Sequence, residues 1–369
     1  MKSYRIIISG GGTGGHIFPA ISIAETLKKR FPGTEFLFIG ADNRMEMERV
    51  PAAGYHIIGL PVSGFNRSNK LQNIQVLRKL FKSIHMAKKI LRDFKPDVVV
   101  GVGGYASGPT LWAATSLKIP SLIQEQNSYA GITNKLLGKR VAKICVAYEG
   151  MERFFPAHKI IWTGNPVRRD LEECSINQEE ALARFNLSPN KKTVLIIGGS
   201  LGARTINKGI LSGLDQLLAT GIQVIWQTGR IYYDSIKQQL EGKDIHNLLW
   251  VSDFISQMDY AYAAADLVVS RAGAGSISEL CILKKPAILI PSPNVAEDHQ
   301  TKNALAIVNE KAAVMIADKD AESKLIDCIL NMIHDQKQLE ILSKNIYQQA
   351  RHQSADRIVD EIVKIIKNK

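Results

Sequence analysis

Arg5-Ile6-Ile7-Ile8-Ser9-Gly10-Gly11-Gly12-Thr13-Gly14-Gly15-His16 decides how the rest of the chain is read. A short β-branched apolar run that ends at once in glycines predicts a buried strand. Glycines let the backbone approach a ligand closely and adopt positive φ. A helix that follows turns its unpaired N–H groups and positive dipole end toward an anion. Residues 20–30 read as that helix. Working outward, further strands are expected at residues 35–39, 97–102 and 120–124, with helical stretches between them such as 71–92. The alternation predicts parallel sheets with helices on both faces and right-handed connections.

The pattern then restarts. Thr193–Ile197 runs into Gly198-Gly199-Ser200-Leu201-Gly202-Ala203-Arg204, echoing the opening stretch. Asp97-Val98-Val99-Val100 enters Gly101-Val102-Gly103-Gly104, and Asp266-Leu267-Val268-Val269 enters Ser270-Arg271-Ala272-Gly273. Each half therefore holds two strand–glycine-loop–helix units at similar offsets. Such loops sit at the carboxyl ends of strands, where open α/β folds bind ligands. The expected fold is α/β, with a Rossmann-like domain over residues 1–164 and another over 165–340. A C-terminal helix over 341–369 is expected to pack back toward the first domain. The polar stretch 172–192, with its Ser188-Pro189-Asn190 turn signal, reads as a linker.

The chain has 369 residues, 45% of them hydrophobic and 22% charged, which suits two ordinary buried cores and excludes a disordered chain. A strand already begins near residue 4, so no secretory leader is expected. No apolar run approaches the ~20 residues that span a bilayer. Cys145, Cys174, Cys281 and Cys328 are scattered, which fits a reducing compartment and neither a disulfide framework nor a zinc site.

The net charge of +12 calls for an anionic partner. Residues 66–95 alone carry nine lysines and arginines (Arg67, Lys70, Arg78, Lys79, Lys82, Lys88, Lys89, Arg92, Lys95) against Asp93. Leu71, Ile74, Leu77, Phe81, Ile84 and Leu91 recur among them at helical spacing. A basic amphipathic helix suits an anionic membrane surface. The same pattern suits a sheet-packing helix with a solvated basic face, and both can hold. Nucleic acid is not an expected partner, because no RNP-type aromatic motif, helix-turn-helix signature or zinc spacing is present.

Two motif matches are discounted. Gly10-x-Gly12-x-x-Gly15 has the form of a dinucleotide fingerprint, but Asp42, the acid that would hold the ribose, lies 27 residues past Gly15, later than that fingerprint prefers. Asp318-Lys319-Asp320 has the form of a DxD metal motif. It lies far in sequence from every glycine loop and is read as a solvated helix-start turn. No metal and no other cofactor is expected.

Several blocks carry a family resemblance. They are Gly11-Gly12-Thr13-Gly14-Gly15-His16, Gly103-Gly104-Tyr105-x-Ser107-Gly108-Pro109, Glu125-Gln126-Asn127, Gly164-Asn165-Pro166-Val167-Arg168, Gly198-Gly199-Ser200-x-Gly202-Ala203-Arg204, Ser270-Arg271-x-Gly273-Ala274 through Ser278-Glu279, and His299-Gln300-x-x-Asn303-Ala304. In this order, over nearly the whole chain, they resemble the signature blocks of the MurG family, the peptidoglycan N-acetylglucosaminyltransferases. The resemblance implies a GT-B fold, two Rossmann-like domains facing across a cleft. It implies metal-free transfer of N-acetylglucosamine from UDP-GlcNAc to the C4 hydroxyl of undecaprenyl-pyrophosphoryl-MurNAc-pentapeptide (lipid I), with inversion, to give lipid II. Another GT-B enzyme of UDP-GlcNAc, such as a 2-epimerase, is the alternative.

The resemblance also implies roles. The donor falls mainly to the second domain, with Arg168, Ser200, Arg271 and the segment Ala274, Gly275, Ser276, Ile277 and Ser278 around the pyrophosphate. Glu279 is matched to the ribose, the Ile255 backbone to uracil, and Asn127 and Gln300 to the sugar. Thr13, Gly14 and Gly15 complete the donor set. Gly12, Gly103, Gly104, Tyr105 and Asn134 are matched to the acceptor. His16 is the expected general base, being a side chain that ordinarily titrates near neutrality and sits at a loop–helix junction; Glu125 is second. Plainer readings stand beside these: His16 capping its loop or binding the acceptor phosphate, Asn127 capping a helix, Glu279 as a first-turn acid, Ile255 as core, Arg168 and Arg271 as surface residues. The implied setting is peripheral, on the cytoplasmic face of the bacterial inner membrane. Its partners would be UDP-GlcNAc, lipid I, the anionic membrane surface and other cell-wall synthesis proteins.

Overall fold

A computed structural model describes residues 3–64, 72–199, 201–243 and 247–368. The chain divides into two compact units, Met1–Arg168 with Arg351–Lys369, and Arg169–Ala350.

Among the described residues, the first unit holds a parallel seven-stranded sheet of β1 (Arg5–Ser9), β2 (Glu35–Ala41), β3 (Ile57–Leu60), β4 (Val98–Gly101), β5 (Ser121–Glu125), β6 (Lys143–Val146) and β7 (Ile160–Trp162), in the order β3-β2-β1-β4-β5-β6-β7. Its helices are α1 (Gly14–Arg30), α2 (Glu46–Ala52), α3 (Gln72–Phe94), α4 (Ser107–Ser116) and α5 (Ile132–Gly138). Strand alternation sets the two cores. Ile6 and Ile8 join a cluster with Ile23 and Leu27 on one face, while Ile7 joins Leu91 and Leu111 on the other. A one-residue slip would exchange these faces, so the register Ile7 with Leu37 and Val99 is strongly specified.

The second unit contains α6 (Arg169–Glu172), α7 (Gln178–Arg184), β8 (Thr193–Ile197), α8 (Arg204–Ala219), β9 (Gln223–Gln227), α9 (Tyr233–Leu240), β10 (Leu249–Ser252), α10 (Met258–Ala264), β11 (Leu267–Ser270), α11 (Ala274–Ile282), β12 (Ala287–Leu289), α12 (His299–Val308), β13 (Val314–Met315), α13 (Ala321–Ile333) and α14 (Gln336–Gln348). Its parallel sheet runs β10-β9-β8-β11-β12-β13. The chain order reverses between β1 and β4 in one sheet and between β8 and β11 in the other. Loops leaving such neighbours diverge and open a ligand crevice. The four glycine loops are the loops at these two switch points.

Three expectations change. Residues 172–192 are not a bare linker: they contain α7, whose N-cap Asn177 accepts the Glu180 N–H at 2.9 Å. Ala181 and Leu182 bury its inner face, and it packs on α10. The tail is two helices. Gln353, at φ 55°, breaks it, so α14 stays with the second unit and α15 (Ser354–Lys367) packs on α1 in the first. The helix expected from residue 20 begins at Gly14 and carries Pro19 inside it, so its first turn reaches back into the glycine loop.

Candidate functional site

In the first unit the two switch-point loops touch. A Cβ on Gly104 would stand 2.3 Å from the Gly11 carbonyl oxygen, so only glycine permits this approach. Behind them lies Glu46, in the first turn of α2 and 1% exposed. Its Oε2 accepts the Gly12 N–H at 2.7 Å and its Oε1 accepts the Ala41 N–H at 2.9 Å. Glu46 did not figure among the expected site residues. The available signal was its place one helical turn before Val50, on the buried face of α2.

His16 sits in the first turn of α1. Its Nδ1 lies 3.0 Å from the Gly11 carbonyl and 3.2 Å from Thr13 Oγ1. A carbonyl oxygen only accepts, so this contact requires a hydrogen on Nδ1; in a neutral ring that places the lone pair on Nε2. The Nε2 edge faces Gly103, where a Cβ would come within 2.8 Å. Gly14 and Gly15 open α1 just before the ring.

Glu125 ends β5 and is 2% exposed. Its Oε1 accepts from the Asn127 backbone N–H at 3.1 Å and side-chain amide at 3.3 Å. Its Oε2 accepts from Gly131 N–H at 3.1 Å and Asn134 Nδ2 at 2.8 Å. The carboxylate thus organises the loop 126–131 and the start of α5. Asn127 and Asn134 are brought together by it. Gln124, Gln126 and Asn165 form a buried amide chain beside it: Gln124 donates to Asn165 at 3.0 Å and Gln126 to the Val102 carbonyl at 2.6 Å. Tyr105 is half exposed, its hydroxyl over the Gly64 backbone. Arg168, partly exposed, ends the segment assigned to this unit.

The second unit also has a close glycine contact, here between the loops after the neighbouring strands β8 and β9. A Cβ on Gly202 would fall 2.1 Å from the Thr228 carbonyl, so the loop after β8 packs directly on the loop after β9. Gln227 holds both sides: its Nε2 donates to the Gly199 carbonyl at 3.1 Å and its Oε1 accepts the Ile255 N–H at 2.9 Å. Ile255 is buried, so its side chain is core and its N–H is already taken. Ser200 lies outside the described residues. Gly273 caps α11, whose first turn holds Ala274, Gly275 and Ser276; a Cβ on Gly275 would meet nothing within 4 Å. Ile277 packs inward, and Ser278 Oγ donates to the Ala274 carbonyl at 3.0 Å. Glu279 Oε2 accepts from the buried Tyr262 hydroxyl at 2.8 Å, which fixes the carboxylate. Gln300 Oε1 accepts the Ser292 N–H at 2.8 Å, leaving its amide end to donate.

Asp318 corrects the expectation of a solvated turn. It does begin a helical turn, yet its side chain is only 18% exposed. Its Oδ1 meets Arg271 Nη1 at 2.5 Å and Thr205 Oγ1 at 2.5 Å. Sequence distance hid this, because Asp318 follows β13 at the same end of the sheet as the glycine loops.

Comparisons with known proteins agree with this geometry. Residues 6–146 match the glycosyltransferase family 28 N-terminal domain and residues 193–359 the family 28 C-terminal domain. A UDP-N-acetylglucosamine--N-acetylmuramyl-(pentapeptide) pyrophosphoryl-undecaprenol N-acetylglucosamine transferase from Parabacteroides distasonis is 66% identical over 372 residues, covering 100% of both chains. One of the same name from Phocaeicola vulgatus is 59% identical, covering 99% of this chain and 97% of its own. The crystal structure of Acinetobacter baumannii MurG superposes with a TM-score of 0.79 at 26% identity, over 98% of this chain and 99% of that one. A UDP-N-acetylglucosamine 2-epimerase superposes with a TM-score of 0.63 at 13% identity, covering 100% of this chain and 98% of its own, a likeness of fold alone.

Proposed function

The chain belongs to glycosyltransferase family 28, and from that premise we infer that it transfers N-acetylglucosamine from UDP-GlcNAc to the C4 hydroxyl of undecaprenyl-pyrophosphoryl-MurNAc-pentapeptide, giving lipid II for peptidoglycan. The observation that carries this reading is the 66% identity to a transferase of that name across the full length of both chains.

The first unit takes the acceptor and the second takes most of the donor. In the transfer, the C4 hydroxyl oxygen attacks C1 of the donor sugar from the face opposite UDP. The C1–O bond to UDP breaks as the new bond forms, and configuration inverts. Nε2 of His16 takes the hydroxyl proton; the Gly11 carbonyl, by accepting from Nδ1, supports that assignment. Glu125 holds Asn127 and Asn134 in place, since its two oxygens already accept four N–H groups. Charge growing on UDP is met by the N-termini of α8 and α11. Glu279, steadied by Tyr262, accepts from the ribose hydroxyls, and the amide end of Gln300 donates to the sugar.

The test is to incubate the protein with labelled UDP-GlcNAc and a lipid I analogue. Disaccharide-lipid is the expected product, and formation of UDP-ManNAc instead would establish the epimerase. The same assay in excess EDTA should run at an unchanged rate, because Asp318 is paired with Arg271 and Asp320 with Lys324. Complete loss in EDTA with rescue by Mg²⁺ or Mn²⁺ would overturn the metal-free reading.

The protein also works at the anionic cytoplasmic face of the membrane, where its acceptor's tail resides. No described helix is long and apolar enough to cross a bilayer. Helix α3 carries two apolar faces instead. Val76, Ala87 and Leu91 pack inward, while Ile74, Leu77 and Phe81 are exposed, Phe81 by 69%. Arg67, Lys70 and Leu71 of the basic run lie outside the described residues. Helices α4 and α5, packed in sequence beside α3, expose Trp112, Ile132 and Leu136. Exposed apolar residues among lysines and arginines fit a lipid interface, where each basic residue adds ~1 kcal/mol. In flotation, the wild-type protein should rise with vesicles containing anionic lipid and remain below with neutral ones, and Phe81→Ser with Leu136→Ser should weaken the former. Equal binding to neutral vesicles would defeat the electrostatic part.

A further inference from the structure

We propose that Asp318 is a positioning residue for the donor loops. With Thr205 it locks the Arg271 guanidinium across the end of the second sheet, and so sets how α8 and α11 present their N–H groups to a nucleoside diphosphate. The proposal rests on the donor assignment made above for the second unit.

The geometry is a closed clamp. Arg271 and Asp318 are 16% and 18% exposed at their side chains and meet at 2.5 Å. Thr205 Oγ1 donates to Asp318 Oδ1 at 2.5 Å and accepts from Arg271 Nη2 at 3.1 Å. One hydroxyl hydrogen and its lone pairs satisfy both contacts. Arg271 Nη1 also lies 3.1 Å from the Ile290 carbonyl and 3.3 Å from that of Pro291. These groups come from four places: the first turn of α8, and the chain just after β11, β12 and β13. The clamp therefore spans the switch point, fastening the helix that follows one glycine loop to the start of the other.

Charge tells the same story. An arginine beside a diphosphate site would ordinarily serve as a phosphate ligand. Here the Asp318 carboxylate balances the guanidinium charge, Nη1 is committed to that carboxylate and two backbone carbonyls, and Nη2 donates to Thr205. The attraction left for phosphate then comes from helix N-terminal N–H groups, whose value depends on their aim. A misaligned clamp would degrade phosphate binding and spare contacts to the base.

That split distinguishes positioning from mere stability. The experiment is calorimetric titration of the full chain with UDP and, separately, with uridine, for wild type, Asp318→Ala, Asp318→Asn and Thr205→Val, with melting curves for each. Loss of charge-assisted bonds of this kind should raise the UDP Kd of Asp318→Ala by more than about tenfold. The uridine Kd should stay within about twofold, since no base contact changes. Thr205→Val should move UDP in the same direction, and Asp318→Asn, which keeps an acceptor oxygen, should fall between wild type and alanine. The KM for UDP-GlcNAc should follow the UDP Kd. A folded Asp318→Ala with unchanged or tighter UDP binding would overturn the proposal, as would equal weakening toward UDP and uridine. Should Asp318→Ala fail to fold, Thr205→Val decides by the same criteria. Wild-type protein that binds no UDP would remove the donor assignment itself, and the proposal with it.

Discussion

Alanine at position 16 is expected to lower kcat by about 10²–10⁴-fold, the usual contribution of a positioned proton acceptor, with little change in melting temperature. The ring is only partly buried, and its Nδ1 contact to the Gly11 carbonyl is one neutral hydrogen bond, worth about 1 kcal/mol net. Its loss is small beside that of the proton acceptor. A second substitution separates the roles that the sequence leaves open. His16→Asn places an amide N–H where Nδ1 stands and can still donate to the Gly11 carbonyl, but it has no basic nitrogen to offer, so it should keep the loop contact and leave kcat low. If the asparagine restored kcat, the histidine would be a loop cap. A folded alanine variant with kcat barely changed would pass the base role to another group.

The reach of sequence reading in this protein follows the range of each interaction. The four glycine loops are local signals: strand, turn and helix occupy a dozen residues, and each loop is found at a switch point. Duplication of the pattern specifies two sheets without any long-range contact. The linker reading of residues 172–192 failed despite a local signal, because Asn177 three residues before Glu180 is a capping pattern that polarity obscured. The proline at 19 likewise hid the true start of α1. What could not be read were polar ties across the fold. Asp318 reaches Thr205 over 113 residues and Arg271 over 47. Gln227 reaches Gly199 and Ile255 over 28 residues each. A glutamine on a strand or an aspartate at a helix start has many ordinary explanations, and only the sheet order brings these side chains to the groups they hold.

Glu46→Ala should be the most damaging change outside the residues matched to substrate. It leaves the buried Ala41 N–H without its acceptor, at about 1–3 kcal/mol, and frees the partly buried Gly12 N–H as well. A clear drop in the urea midpoint is expected, with kcat of the folded fraction down at least about tenfold, because displaced loop atoms misplace the reacting groups. Glu46→Gln should recover little. Both partners are N–H donors, so one amide oxygen can serve only one of them, and the amide nitrogen meets the other donor to donor. Adjacency explains the kinetic effect: Gly12 follows Gly11, whose carbonyl orients His16. If Glu46 acts through that ring, the two substitutions will not be additive. In a His16→Ala background, Glu46→Ala should still lower the urea midpoint but cost little further kcat. Full additivity in kcat would mean that the carboxylate supports the loop for acceptor binding independently of the histidine. An alanine variant with midpoint and kcat both unchanged would show that the contacts at Gly12 and Ala41 hold nothing in place.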